Sequence, residues 1–206
     1  MAQELDTKQI ALLATHGFEQ SELEEPLIAL REAGAEVAII SLEAGEIRGW
    51  HDGDWGESIP VDATIDEVDA RGFDALLIPG GVLNPDKLRM NPAVVEFVHA
   101  FFAQHKPVAS ICHGPWLLAE ADVIRGRKLT SYGSIKTDLK NAGANWMDQE
   151  VVVDNGLVTS RNPGDLDAFC AKMLEAFKIG TQKGQVASPE RHRAQRDGSK
   201  RPRPRA

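Results

Sequence analysis

Short apolar runs alternate with amphipathic helical stretches along most of this chain, and that alternation restricts the fold more than any other feature. Residues 9–14 (QIALLA) and 74–78 (DALLI) read as buried strands, and residues 36–41 (EVAIIS) and 107–111 (PVASI) as further strands. Helical stretches fall between them at residues 21–33, closed by Gly34, and at residues 91–104, where Pro92 suits the first turn. Val94, Val95, Val98, Phe101 and Phe102 form the apolar stripe of the second. Pro26 is expected to start or kink the first helix. Shorter helices are expected at residues 116–121 and 135–142, and a last one at 164–178. A short strand is read at 128–131, and strands at 150–153 and 157–160 flank Asp154-Asn155-Gly156, an Asn-Gly hairpin signal. Residues 42–61 hold four glycines with Trp50 and Trp55 and read as a loop or small hairpin, ending in a short strand at 59–62. Strands alternating with helices predict an α/β domain whose mostly parallel sheet is covered on both faces.

The 206 residues suit one domain over residues 1–180, followed by a basic tail at 181–206 whose composition predicts disorder. The tail carries eight Lys/Arg and two Asp/Glu, a net of +6, so the rest of a chain of net charge −8 carries −14. An acidic body argues against nucleic acid as a partner, except weakly through the tail. No apolar run reaches the roughly 18 residues that span a bilayer, and the polar start lacks a signal pattern, so a cytoplasmic protein without a membrane partner is expected. The two cysteines, Cys112 and Cys170, have no CxxC spacing, and the six histidines form no HxxxH or HxH pair. No metal and no cofactor are expected.

Cys112 carries the chemistry in this reading. An apolar strand leads into Ser110-Ile111-Cys112-His113-Gly114, and a helix follows, with Pro115 fitting its first turn. This is the plan of a nucleophile elbow with Cys in place of Ser. The helix aims its positive end at the sulfur, which predicts a lowered thiol pKa. The competing reading is a buried structural cysteine, since free Cys packs as a small hydrophobe. Cys170, on the last helix, takes that structural reading.

Two further loops end at the same edge of a parallel sheet, where ligands bind. Pro79-Gly80-Gly81 follows a buried strand, and the N–H groups of Gly81 and His113 are candidates for an oxyanion hole. Glu19 follows the first strand. By the residues alone it is a helix-start glutamate favouring the macrodipole; the other reading is a protonated carboxyl that donates to the Cys112 sulfur. Gly114, His16 and Trp116 are candidates for shaping the pocket, as is Tyr132.

Together these elements resemble the ThiJ/PfpI family of the class I glutamine amidotransferase-like superfamily. The matching residues are Gly17-Phe18-Glu19, the run from Asp74 to Gly81, and the run from Val108 to Pro115. Further matches are Ile124 to Ser131, Asn141 to Ala144, Glu150 to Asp154 and Thr159 to Pro163, so the resemblance covers residues 8–178. It implies a flavodoxin-like three-layer sandwich, a Cys112–His113 pair, and Glu19 as the acid that hydrogen-bonds the sulfur. It implies a homo-oligomer in which a carboxylate from a neighbouring subunit completes a triad. The matching position is Asp86, where the PfpI-type peptidase has Glu in a shorter loop. The last histidine of the domain is His113, so the late His and Glu of true glutamine amidotransferases are absent.

The resemblance implies three activities, ranked in this order. The first is cysteine-dependent chemistry on reactive carbonyls, as a glyoxalase III-like enzyme or a protein deglycase acting on small carbonyl compounds or glycated substrates. The second is a redox-sensing or stress-protective role through oxidation of Cys112 without turnover. The third is an intracellular cysteine peptidase acting on peptides.

Overall fold

The computed structural model describes residues 4–185 and 187. The chain opens with β1 (Gln9–Leu13), α1 (Gln20–Glu32) and β2 (Glu36–Ser41). A hairpin of β3 (Glu46–His51) and β4 (Asp54–Pro60) follows, then β5 (Ala63–Thr64), β6 (Ala75–Ile78), α2 (Leu83–Leu88) and α3 (Pro92–Ala103). The second half holds β7 (Val108–Ile111), α4 (Pro115–Glu120), β8 (Lys128–Leu129), α5 (Lys136–Asn141), β9 (Asn145–Trp146), β10 (Val151–Asp154), β11 (Leu157–Ser160) and α6 (Leu166–Ile179). Seven strands form the central sheet in the order β10-β11-β7-β6-β1-β2-β5, all neighbours parallel except β10 against β11. This is the flavodoxin-like arrangement expected.

The central strands are mostly apolar because both faces are covered, and alternation sorts their side chains into two cores. Ala11 and Leu13 of β1 face one core with Leu76, Ile78 and Val108, under α3, α4 and α5. Ile10 and Leu12 face the other with Ala75, Leu77, Ala109 and Ile111, under α1 and α6. Val94, Phe97, Val98, Phe101 and Phe102 seal the first, and Leu23, Leu27, Leu30, Phe169 and Phe177 the second. The apolar stripe expected on α3 is therefore its buried face, with Phe97 added and Val95 only half-buried.

The glycine-rich stretch after β2 forms the two-stranded antiparallel β3–β4 hairpin rather than a loop. Trp50 and Trp55 are cross-strand partners whose rings meet edge to face at 5.5 Å. The second hairpin turns at Asn155 (φ 47°) and Gly156 (φ 85°), both left-handed, as a tight Asn-Gly turn requires. Pro26 lies inside α1 instead of starting it. Residues 181–185 continue from the body and fold back on it. The Gln182 N–H donates to the His105 carbonyl at 2.8 Å, and Gln185 Nε2 donates to the Lys106 carbonyl at 2.5 Å. The rest of the expected basic tail, residue 186 and residues 188–206, lies outside the described residues. Among the described residues no helix is long and apolar enough to cross a membrane.

β1 pairs with β2 on one side and β6 on the other, so the chain changes direction across the sheet at β1. The carboxyl ends of β1, β6 and β7 flank that switch point, where open α/β sheets build their crevice.

Candidate active site

Cys112 is the first residue after β7, and its φ of 61° places a non-glycine residue in the left-handed region. Such a conformation costs on the order of 1–3 kcal/mol and needs surroundings that enforce it. They are present. The Cys112 N–H donates to the Ser160 carbonyl at 3.1 Å, its carbonyl accepts from the Tyr132 N–H at 2.9 Å, and the Gly114 N–H donates to the Ile111 carbonyl at 2.9 Å. A side chain on Gly114 would lie 2.4 Å from Ser110 Oγ and 2.9 Å from two carbonyl oxygens, so this glycine serves the tightness of the elbow.

The thiol is 6% exposed. Its Sγ lies 3.2 Å from His113 Nδ1, although the two residues are adjacent in sequence. Opposed side chains of an extended strand would not meet; the left-handed turn at Cys112 brings them together. His113 Nε2 lies 3.0 Å from Ser134 Oγ. Tyr132 stacks on the imidazole at 4.8 Å, and Trp116 meets it edge-on at 5.3 Å. Burial holds the His113 pKa below its ordinary value, so the ring is neutral near pH 7 and able to take a proton.

The carboxyl that faces the sulfur belongs to Glu22, not Glu19. Glu19 is the N-cap of α1, and its carboxylate accepts from the Ser21 hydroxyl at 2.6 Å and from the Glu22 N–H at 2.9 Å. One turn further on, Glu22 is fully buried and interacts side chain to side chain with Cys112. Its Oε2 accepts from the Gly80 N–H at 3.0 Å, and Oε1 is buried without a partner of standard hydrogen-bond geometry. Burial, then the neighbouring charge of Glu19, push the Glu22 carboxyl up to about 8. Near neutral pH it is mostly protonated and has a hydroxyl to donate.

A periodic signal for Glu22 existed in the sequence. It stands four residues before Pro26 and one before Leu23, and the buried residues of α1 are Glu22, Leu23, Pro26, Leu27 and Leu30. A glutamate on the apolar face of a helix that follows the first strand is a carboxyl the fold must accommodate.

Gly80 and Gly81 stand where the backbone leaves no room for a side chain. A side chain on Gly80 would lie 2.3 Å from Glu22 Oε2 and 2.5 Å from Cys112 Cβ. Gly81 (φ 77°) presses on the Gly17 carbonyl, 2.3 Å from where its Cβ would sit. The N–H groups of Gly81 and His113 both reach the Cys112 sulfur. They draw the thiol down, but burial, and the charge of Glu22 once ionised, outweigh them and push it up. The lowered thiol expected from the helix end is thus reversed, because six-residue α4 is short and desolvation is the larger effect. With Glu22 protonated its charge repulsion on the sulfur disappears.

Other expected site residues take different places. Asp86 lies on α2, half exposed, and accepts from Arg89 Nε at 3.1 Å and Nη2 at 2.7 Å on its own chain. Arg89 in turn lies over the Trp116 ring at 4.6 Å, and Trp116 Nε1 donates to Asp138 at 2.8 Å, so Asp86 reaches the site only through the rim. His16 is exposed, and its Nδ1 accepts from the Arg48 N–H of β3 at 3.0 Å. It anchors the hairpin. Cys170 is half-buried against the α1–α6 core, and burial pushes its thiol up to about 12. Sequence reasoning missed Ser134 as well as Glu22, because Ser134 sits in a single helical turn, Gly133–Ile135, with no periodicity to mark it.

A sequence profile of the DJ-1/PfpI family matches residues 8–176. Protein/nucleic acid deglycase 2 of Escherichia coli (strain K12) is 51% identical over 169 residues, covering 82% of this chain and 96% of that protein. Deglycase PfpI of Pyrococcus furiosus is 46% identical over 170 residues, 82% of this chain and 99% of that one. The crystal structure of Drosophila melanogaster DJ-1beta is similar with a TM-score of 0.75 at 30% identity, covering 83% of this chain and 90% of that chain. With the profile matched over most of its length, and with the fold and elbow described above, this chain belongs to the DJ-1/PfpI family.

Proposed function

We propose that this protein is a cysteine-dependent enzyme acting on reactive carbonyl compounds, a deglycase, as its relatives are named, or a glyoxalase III-like enzyme. The observation that carries this reading is the setting of Cys112 Sγ, with a neutral imidazole nitrogen at 3.2 Å, the Gly81 and His113 N–H groups, and the buried Glu22 carboxyl around it. His113 Nδ1 takes the thiol proton as sulfur adds to the aldehyde carbon of an α-oxoaldehyde, giving a hemithioacetal. The proton moves from the former aldehyde carbon to the adjacent one through an enediol, leaving a thioester. Water then releases the hydroxy acid and returns the thiol. Atoms balance: oxoaldehyde plus water gives hydroxy acid.

Proton NMR of methylglyoxal incubated with the protein tests this. Lactate forms with the wild type and falls by about a hundredfold or more in Cys112→Ala. Equal turnover in the variant overturns the reading. Peptide cleavage that depends on Cys112, with no methylglyoxal turnover, assigns a peptidase instead.

A second reading rests on the unpartnered Glu22 Oε1. Peroxide oxidises the Cys112 thiolate to sulfenic acid, with hydroxide leaving, and a second equivalent gives sulfinate. Protonated Glu22 supplies the sulfinate with a donor. Two added oxygens on Cys112 in the wild type, and fewer in Glu22→Ala, support it.

We also infer a homo-oligomer, on the exposed Val82, Leu83 and Met90 beside the site, the last 79% exposed. In this reading a second copy covers them and brings its own Asp86 to the rim. A monomeric mass by light scattering at micromolar concentration contradicts it.

A further inference from the structure

The imidazole of His113 is held by packing on its faces and by hydrogen-bonding partners at both nitrogens. Tyr132 stacks at 4.8 Å with 27° between the planes, and Trp116 presses edge-on. These contacts fix the plane of the ring but not its sense. A half-turn about the Cβ–Cγ bond exchanges Nδ1 with Cδ2 and Nε2 with Cε1, and ring packing does not distinguish such near-isosteric atoms. Polar partners must do so. Cys112 Sγ is one, at 3.2 Å from Nδ1, and Ser134 Oγ is the other, at 3.0 Å from Nε2.

These partners differ during the reaction proposed above, on which this inference rests. When sulfur carries a covalent adduct it no longer offers Nδ1 a thiol proton. Ser134 is untouched by that step. Its hydroxyl accepts the Nε2–H of the neutral ring, and equally that of the imidazolium. Holding the proton on Nε2 leaves Nδ1 as the base, facing the sulfur and then the substrate carbon.

The backbone builds this contact in. The Tyr132 N–H donates to the Cys112 carbonyl at 2.9 Å, which ties the loop to the elbow. Three residues beyond Tyr132 the loop is pinned again, because Ile135 is buried and its N–H donates to the Tyr132 carbonyl at 3.2 Å. Ser134 stands between two fixed points. We propose that Ser134 is a positioning residue, which acts through His113 to hold Nδ1 toward Cys112 and the substrate.

The test reads the ring itself as well as turnover. Nitrogen-15 NMR of His113 near pH 7 is expected to show Nε2 protonated and Nδ1 bare in the wild type. In Ser134→Ala, with an unchanged melting temperature, the two signals move toward each other. Loss of one neutral hydrogen bond predicts a three- to tenfold fall in kcat with little change in KM, by an estimate of about 1 kcal/mol. Ser134→Thr, which keeps the hydroxyl, restores both. Nitrogen signals in Ser134→Ala identical to wild type overturn the proposal, whatever turnover does, and so does failure of Ser134→Thr to restore them. The NMR result stands independently of substrate, so failure of the carbonyl reading, seen as turnover that does not need Cys112, is a separate outcome.

Discussion

Glu22 and Cys112 share one buried pocket, a carboxyl on the inner face of α1 against a thiol at the end of β7, with Gly80 pressed between them. A buried carboxylate beside a thiolate would be two like charges out of water. The fold avoids this by keeping Glu22 protonated near neutrality, so no second negative charge stands beside the sulfur.

Replacing Glu22 by Gln is expected to change the pH dependence of stability. The folded carboxyl titrates at about 8 against 4.5 for a free one. Below about pH 4.5 it is protonated in both states. Above that the unfolded chain ionises while the folded one keeps its proton, so stability falls as pH rises toward 8 and then levels off. Denaturant titrations should show wild type losing on the order of a few kcal/mol relative to Glu22→Gln between about pH 5 and pH 8. A constant difference between the two proteins contradicts the assignment.

The same substitution separates two effects on the thiol. In the wild type, ionisation of Glu22 near pH 8 raises the Cys112 pKa, so the rate of alkylation at Cys112 should flatten there. In Glu22→Gln no charge appears, and the rate should continue to rise with pH. Alkylation followed by peptide mass spectrometry measures both.

Gly80→Ala tests how closely the pocket is built. The new methyl would stand 2.3 Å from Glu22 Oε2, 2.5 Å from Cys112 Cβ and 3.0 Å from the Ile111 carbonyl. Because two of these neighbours are backbone or Cβ, relief requires the loop to move. A loss of about 2 kcal/mol is expected by thermal or chemical denaturation, with slower modification of Cys112. Gly126→Ala is the control for crowding, since nothing lies within 4 Å of its Cβ position, although its φ of 76° still strains an alanine.

Asn84 supports the glycine loop from below. It is fully buried, accepts from the Thr15 N–H at 2.8 Å, and donates to the carbonyls of Pro79 and Gly80 at 3.0 and 3.1 Å. Asn84→Ala leaves three backbone groups without that partner. It should destabilise the protein by about 2 kcal/mol or more, read by denaturant unfolding, and should lower Cys112 reactivity in the same preparation.

What the sequence made legible follows from the same physics. The runs at β2 and β11 match the observed strands at both ends, because a short β-branched apolar run bounded by turn residues is a local signal. The elbow was legible because a strand, a small-x-Cys-x-Gly turn and a proline at the next helix's first turn are all local. α2 was not, since Leu83–Leu88 contains an Asn-Pro pair that reads as a turn and only six residues to show a period. β9 is two residues long and owes its existence to β8. At the site, nearness to the strand end points to Glu19. Helix geometry decides otherwise: Glu19 is outside the first turn as a cap, and Glu22 is the first acidic residue whose side chain points inward. Contacts made by distant segments, such as Ser134 on His113, have no signature in local pattern.

The two cysteines provide the most direct test of the claim that Cys112 is the working nucleophile. Cys112 is the more buried of the two, and burial pushes both thiols up. On accessibility alone Cys170 would react first. The account predicts the reverse, because His113, the Gly81 and His113 N–H groups and protonated Glu22 act only on Cys112. Iodoacetamide labelling of the folded protein at pH 7, followed by peptide mass spectrometry, should find Cys112 modified about tenfold faster than Cys170. Equal rates, or Cys170 first, would contradict it.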